Sequence, residues 1–434
     1  VSASPAKQGS SIQSEATWID RSVWNDRLLA ALDNGVKGTK WYSLMDKVWR
    51  RQTLENGWQD LRRNRGGAGV DGQSIERFAA KEEQYLQELE ASLRSGAYRP
   101  APVKRVEIPK GNGKKRPLGI PTVKDRIVQS AIKRVIEPIF EKVFEPTSYG
   151  FRPNRSCKDA LREVDQLLKQ GNSTVVDADI EDFFGSISHE RMMEKREDHI
   201  SDGKLLKLLE MYLKQEAIDG LSKWTPLCGT PQGAVISPLL ANLSLHELDV
   251  KMREGGYRMV RYADDFVVMC RSEAEAKQAL EEVRSWMSEH GLRLQAEKTR
   301  ISDSRQKGQG FEFLGYRFEA GRRWVRKKSM QALKAKIRSK TRRSRGASMS
   351  EITGELNLML RGWFNYFKHA HWRTYQRIDQ FVRRRLRAIL RKQSKRPGMG
   401  WTLRDHLQWP NKYFAEAGLF TMHEAWQTAS QSRC

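Results

Sequence analysis

Apolar residues in this chain switch between two spacings, and the switches mark out its elements. Helical spacing runs through Leu44, Val48, Leu54, Trp58 and Leu61, and again through Ile127, Ala131, Ile132, Val135 and Ile139. In the second run Pro138 is expected to kink or split the helix. Residues 157–169 and 273–289 read as further amphipathic helices, and Trp18, Trp24, Leu28, Leu29 and Leu32 as one face of a short one. Alternating spacing predicts strands at 103–110 and 116–121 around Gly111-Asn112-Gly113, at 174–180, at 292–294 and at 311–318, the last closing a domain. Residues 257–270 read as a β-hairpin with Tyr262-Ala263-Asp264-Asp265 at its turn. A glycine-proline turn at 229–233 opens an apolar helix ending near Leu248. Two strongly amphipathic helices follow, at 351–369 and 378–390.

Charge adds a partner to this picture. The 434 residues hold 78 Lys and Arg against 53 Asp and Glu, a net +25. Such an excess points to a polyanion, nucleic acid first and an anionic membrane surface second. No run of about 18 apolar residues occurs, so no membrane span is expected. Val1 to Ser14 lacks the apolar core of a signal peptide. The four cysteines are scattered without a Cys-x-x-Cys pair, which supports neither a zinc site nor a disulfide framework and fits a reducing cytoplasm. The charge is uneven: residues 320–396 carry 24 Lys and Arg against three acids. A near-balanced part that holds the candidate chemistry therefore precedes a basic binding part.

The candidate chemistry is carboxylate chemistry. Asp264 and Asp265 sit between strand-forming flanks, and hard cations bind through one or two carboxylates plus substrate phosphates. Asp177 and Asp179 share one face of the 174–180 strand, and alternation alone does not choose between them. Lys110 and Arg116 stand at the two strand ends of a basic hairpin, where both could reach one triphosphate. Arg152 and Arg155 lie in a loop and read equally as RNA contacts or as structural ion pairs.

Taken in order, Arg-Pro-Leu-Gly-Ile-Pro (116–121), Ser-Tyr-Gly-Phe-Arg-Pro (148–153), Pro-Gln-Gly (231–233), Ser-Pro-Leu-Leu-Ala-Asn (237–242) and Tyr-Ala-Asp-Asp (262–265) resemble the reverse transcriptase family. The resemblance is closer still to its group II intron-encoded reverse transcriptase/maturase members of bacterial type, over roughly residues 41–434. It implies an α+β right-hand polymerase. Fingers and palm with an antiparallel sheet would span 41–320 and an α-helical thumb or maturase domain 321–396. An N-terminal extension (1–40) would precede them, and a candidate DNA-binding remnant (397–434) would follow. The family places its first catalytic Asp five residues before an aromatic lying against the incoming sugar. Asp179 and Phe184 match that spacing. With Asp264 and Asp265, Asp179 would then hold two Mg²⁺ ions. Lys110 and Arg116 would hold the dNTP triphosphate, with Phe184 at the sugar and Gln232 at the nascent pair. Gly233, Lys298, Arg152 and Arg155 would contact template and primer. Gly185 departs from the family, where many relatives have Asp.

In the basic part, the apolar stripes of the two helices leave Arg373, Arg377, Arg383, Arg384 and Arg387 on the opposite faces, a candidate RNA-binding surface. The resemblance implies group II intron RNA, a DNA target, template–primer duplex and dNTPs as partners, with no membrane. It implies a bacterial cytoplasmic, nucleoid-associated setting. No Cys-pair and His-Asn-His nuclease pattern follows residue 396, as in the endonuclease-lacking class. Two other readings are an RNA-binding splicing factor with a vestigial polymerase and a domesticated relative used in host defence or repair.

Overall fold

The helical spacing around Trp58 and Ile132 becomes two packed helices, Arg51–Asn64 and Val123–Glu141. Their backbones cross closely at Gly57, where a Cβ would stand 2.9 Å from the Ile127 carbonyl oxygen. The computed structural model describes residues 18–36, 39–110, 114–220 and 222–431, with the side chains of Lys110 and Lys114 outside that description. Pro138 does not split its helix, which runs unbroken to Glu141. Proline leaves the carbonyl four residues back, that of Arg134, without its helical donor. The Trp24 indole N–H donates to that oxygen at 3.2 Å instead.

Two compact units result, one holding the residues up to 172 together with 176–301, the other 173–175 with 302 onward. In the first, β1 (Val103–Lys110) and β2 (Lys114–Ile120) form the expected antiparallel ribbon. Its Gly111-Asn112-Gly113 turn lies outside the described residues. Its other strands are β4 (Ala217–Asp219), β5 (Ser222–Trp224), β6 (Arg258–Tyr262) and β7 (Asp265–Cys270), while β3 (Thr174–Asp179) and β8 (Arg300–Asp303) each have residues in both units. They make two sheets, β2-β1-β4-β5 and β6-β7-β3-β8. Phe266 to Cys270 of β7 are all buried, on both faces of the strand. The helices Cys157–Lys169, Ser237–Glu254 and Glu273–Glu289 pack onto β6 and β7.

In the second unit the 311–318 alternation is two strands. Leu314 (φ 47°) and Gly315 (φ 83°) are successive left-handed residues, the signature of a type I′ turn. They join β9 (Phe311–Phe313) to β10 (Tyr316–Glu319), and β11 (Arg322–Val325) completes the sheet. The Tyr316 hydroxyl donates to Tyr366 O (2.7 Å) and the Tyr366 hydroxyl to Leu314 O (2.8 Å), which ties this sheet to the Met349–Phe367 helix. This compact unit thus takes in the strands ahead of residue 320 as well as the helices after it. Helices Lys327–Lys340, Arg373–Gln393 and Met422–Gln431 complete the unit with two short ones.

Candidate active site

Tyr262 pairs with Asp265 across the hairpin, which leaves Ala263 and Asp264 as the two turn residues. Ala263 has φ 59°, a left-handed conformation that costs a residue with a Cβ roughly 1–2 kcal/mol. Positive φ at the first central residue alone is the pattern of a type II′ turn, where glycine is the usual occupant. The surroundings impose it. The buried Arg261 guanidinium donates to Asp249 Oδ1 (2.7 Å), to Asn242 Oδ1 (2.9 Å) and to the Ala263 carbonyl (2.9 Å). Asn242 passes the contact on, donating to Gly150 O at 2.7 Å. Gly150 backs the turn so closely that a Cβ would stand 2.3 Å from Ala263 N. Tyr149 N donates to Arg261 O (2.9 Å) and Arg261 N to Thr147 O (3.0 Å). The Ser-Tyr-Gly-Phe-Arg-Pro segment is thus a backing strap for the acid-bearing turn.

Asp179 is the last residue of β3 and Asp265 the first of β7, its neighbour in the sheet. The Asp179 carboxylate accepts from the Lys298 ammonium, and its carbonyl from Gln295 N at 2.8 Å. Lys298, expected on the primer, thus stands on a proposed metal-binding acid. Asp177 pairs with Arg300 at 3.3 Å. A hard divalent cation needs oxygen donors and an open coordination sphere for substrate phosphates. The acids at these strand ends supply such oxygens, and Asp179 already takes a cationic partner. Among the described residues, however, no three His, Cys, Asp or Glu side chains gather closely enough to hold a metal ion by themselves. Such oxygens would suit a hard divalent cation only with substrate oxygens added to the shell.

Phe184 and Gln232 come together on a cavity of about 380 Å³, with Arg105, Gly119, Trp224 and Cys228 among its other walls. Asp182, left-handed at φ 40°, leads into the short turn that presents Phe184. Thr230 N donates to Phe184 O at 2.8 Å, and Gly119 N to Gln232 O at 2.8 Å. Gly233 (φ 109°) lies flat against β2, where a Cβ would meet Leu118 Cδ1 at 2.8 Å and Gly119 O at 2.9 Å. The Pro-Gln-Gly turn is therefore stitched between β2 and the Phe184 turn. Gly185 has a local reason: a Cβ there would meet Asp182 Oδ2 at 2.3 Å. Arg116 is exposed on β2, opposite Ile108, and does not line this cavity. Lys110 closes β1, but its side chain lies outside the described residues.

Two arginines expected on nucleic acid are structural. Arg152 is buried, its guanidinium spent on Glu141 and on the carbonyls of Glu145 (2.6 Å) and Ser148 (2.9 Å). Arg387 is buried too, donating to Trp409 O and Asn411 Oδ1, both at 2.9 Å, over the Phe414 ring. Arg155 folds back onto its own loop, donating to Pro146 O at 2.6 Å. Arg373 and Arg377 are exposed, and Arg383 and Arg384 half-buried. Arg261, Asp249 and Asn242 escaped the sequence reading, because a buried polar network leaves no periodic signal. Arg105 and Trp224 escaped it too; the guanidinium lies 5.4 Å from the indole centroid.

Comparison with known proteins accords with this geometry. A reverse transcriptase (RNA-dependent DNA polymerase) family model matches residues 108–318, and a group II intron maturase-specific domain model residues 330–409. The chain is 37% identical to protein YkfC of Escherichia coli K12 over 289 residues, 57% of this chain and 75% of that protein. It is 38% identical to the group II intron-encoded protein LtrA of Lactococcus lactis over 195 residues, 44% of this chain and 32% of LtrA. It thus spans about a third of that relative's length. A solved telomerase from Candida albicans is 13% identical with a TM-score of 0.41, covering 71% of this chain and 63% of that one, a likeness too slight to carry an argument.

Proposed function

The chain belongs to the group II intron-encoded reverse transcriptases, RNA-directed DNA polymerases with a maturase-specific domain, and from that premise we propose how its residues do the work. Asp179, Asp264 and Asp265 are the catalytic acids and would hold two Mg²⁺ ions when the incoming dNTP is bound. When bound, such ions make the primer 3′-hydroxyl nucleophilic and relieve charge on the phosphate under attack. The chain's own residues set the geometry. Arg261 fixes the turn so that Asp264 and Asp265 need no rearrangement as substrate arrives. Lys298 neutralises Asp179. Lys110 and Arg116 take up charge on the β- and γ-phosphates as pyrophosphate leaves.

Phe184 excludes the ribose 2′-hydroxyl by bulk, and Gln232 beside it contacts the nascent pair. Both line one cavity, which supports the pairing of these roles. Gly233, Lys298 and Arg155 face template and primer. The helical unit binds intron RNA through Arg373, Arg377, Arg383 and Arg384, assisting splicing before the RNA is copied at a DNA target.

The observation that supports this reading is that Asp179 ends β3 and Asp265 opens β7, the next strand in the same sheet, beside a turn braced by Arg261. RNA-templated primer extension tests it. Extension should require dNTPs and stop when a chelator removes divalent ions. Extension undiminished in excess chelator would refute the role given to the acids.

A further inference from the structure

The loop after the Arg373–Gln393 helix is held down tightly. Gly400 (φ 76°) lies where a Cβ would be 2.8 Å from Arg384 O and from Ala388 N. Arg391 donates to Pro397 O (2.8 Å) and to Asp405 Oδ1 (2.6 Å), and Arg343 to Gly398 O (3.1 Å). This anchoring presents Trp401 with 69% of its surface exposed. One face of its ring covers Arg384, whose guanidinium lies 4.4 Å from the Trp401 centroid and 5.2 Å from that of Phe381. Lys334 and Arg338 also approach Phe381, at 5.6 and 5.5 Å.

A cavity of about 700 Å³ opens here, walled by Trp401, Phe381, Lys334, Arg377, Arg383 and Arg384. Among the described residues none of these four cations makes an ion pair. One acid in the wall, Asp379, is spent on the backbone N–H groups of Met422 (3.1 Å) and His423 (2.9 Å); Glu424 is the other. Arg383 is partly offset by Asp379 and Glu424, and the other cations around an aromatic platform suit a phosphate joined to a flat ring. Unpaired RNA offers that combination, whereas duplex RNA keeps its bases inside.

We propose that this cavity takes an unpaired RNA nucleotide, its base stacked on Trp401 and its phosphate held by Arg377 and Lys334. The proposal deepens the RNA-binding reading of the helical unit and rests on it. Stacking of this kind tolerates any base, since each has a π-face, so the site selects single strands rather than a sequence.

The test is the affinity of the full chain for a short unstructured RNA and for the same RNA annealed into a duplex, at several salt concentrations. Trp401→Ala should weaken the unpaired RNA about tenfold, leave duplex affinity alone and keep the salt dependence. Trp401→Phe should recover most of the loss. Arg377→Gln should weaken binding and flatten the salt dependence. Unchanged affinity in Trp401→Ala, or an equal loss for duplex, overturns the proposal. A change of sedimentation state in Trp401→Ala also overturns it, since the ring would then seat a second copy of the chain. Binding of the unstructured RNA by the wild-type chain separates this failure from failure of the RNA-binding reading, which falls if the wild type does not bind.

Discussion

Arg261 and Asp249 form an ion pair with no solvent exposure on either side chain, and the same guanidinium holds the carbonyl of Ala263 in the turn that carries Asp264. A buried pair of this kind adds little net stability, but breaking it by removing one partner costs about 3–5 kcal/mol. Arg261→Met should therefore lower the denaturation midpoint sharply and abolish extension. Arg261→Met with Asp249→Leu should recover much of the stability but little of the activity, since Ala263 O and Asn242 stay without their donor. Full extension by that double variant would show that the network only folds the protein.

Gly150→Ala probes the same turn from behind. Its Cβ would press on backbone, Ala263 N at 2.3 Å and Tyr262 C at 2.8 Å, and backbone cannot rotate away. Overpacking of this sort costs about 1–3 kcal/mol. Slower extension at saturating dNTP is expected, with displacement of Asp264 as the cause. A variant with wild-type turnover would mean that the turn tolerates the shift.

Phe184 is half-buried and shares a cavity wall with Gln232. Phe184→Ala should admit ribonucleotides, read as the ratio of rNTP to dNTP incorporation on one template. An unaltered ratio would move sugar selection to another residue.

The cysteines give a chemical test of the same cavity. Cys228 is exposed on its wall, whereas Cys270 is buried and its thiol is pushed up to about 12, by burial first and Glu275 second. The thiolate is the reactive form, so at neutral pH a maleimide should modify Cys228 and spare Cys270 until the protein unfolds. Modification at Cys228 should slow extension, and Cys228→Ser should remove that sensitivity. Rapid native labelling of Cys270 would contradict the burial.

The long helices were legible in the sequence because each buries one face at a regular period, the hairpin because apolar runs flank its acidic turn, and the β1–β2 ribbon because a glycine turn separates its two short strands. The strands that carry Asp179 and Asp265 lie where the family order implies, side by side in one sheet. What stayed hidden was polar and buried. Arg152 reads equally as an RNA contact or an ion pair, and nothing in its loop names Glu141, eleven residues earlier, as the partner it meets after folding. Arg387 sits on the same helix as exposed arginines, and nothing in a run of charges says which one turns inward. The left-handed turn at Leu314-Gly315 was masked by alternation that continues across it.

The central claim is that Asp179 and the turn acids act on one phosphate. Its most direct measurement is extension of a DNA primer on an RNA template by Asp179→Asn, Asp264→Asn and Asp265→Asn, with RNA affinity measured on the same preparations. Each variant should lose extension by several orders of magnitude while binding RNA as the wild type does. Extension near the wild-type rate in any one of them, with the fold intact, would contradict the account.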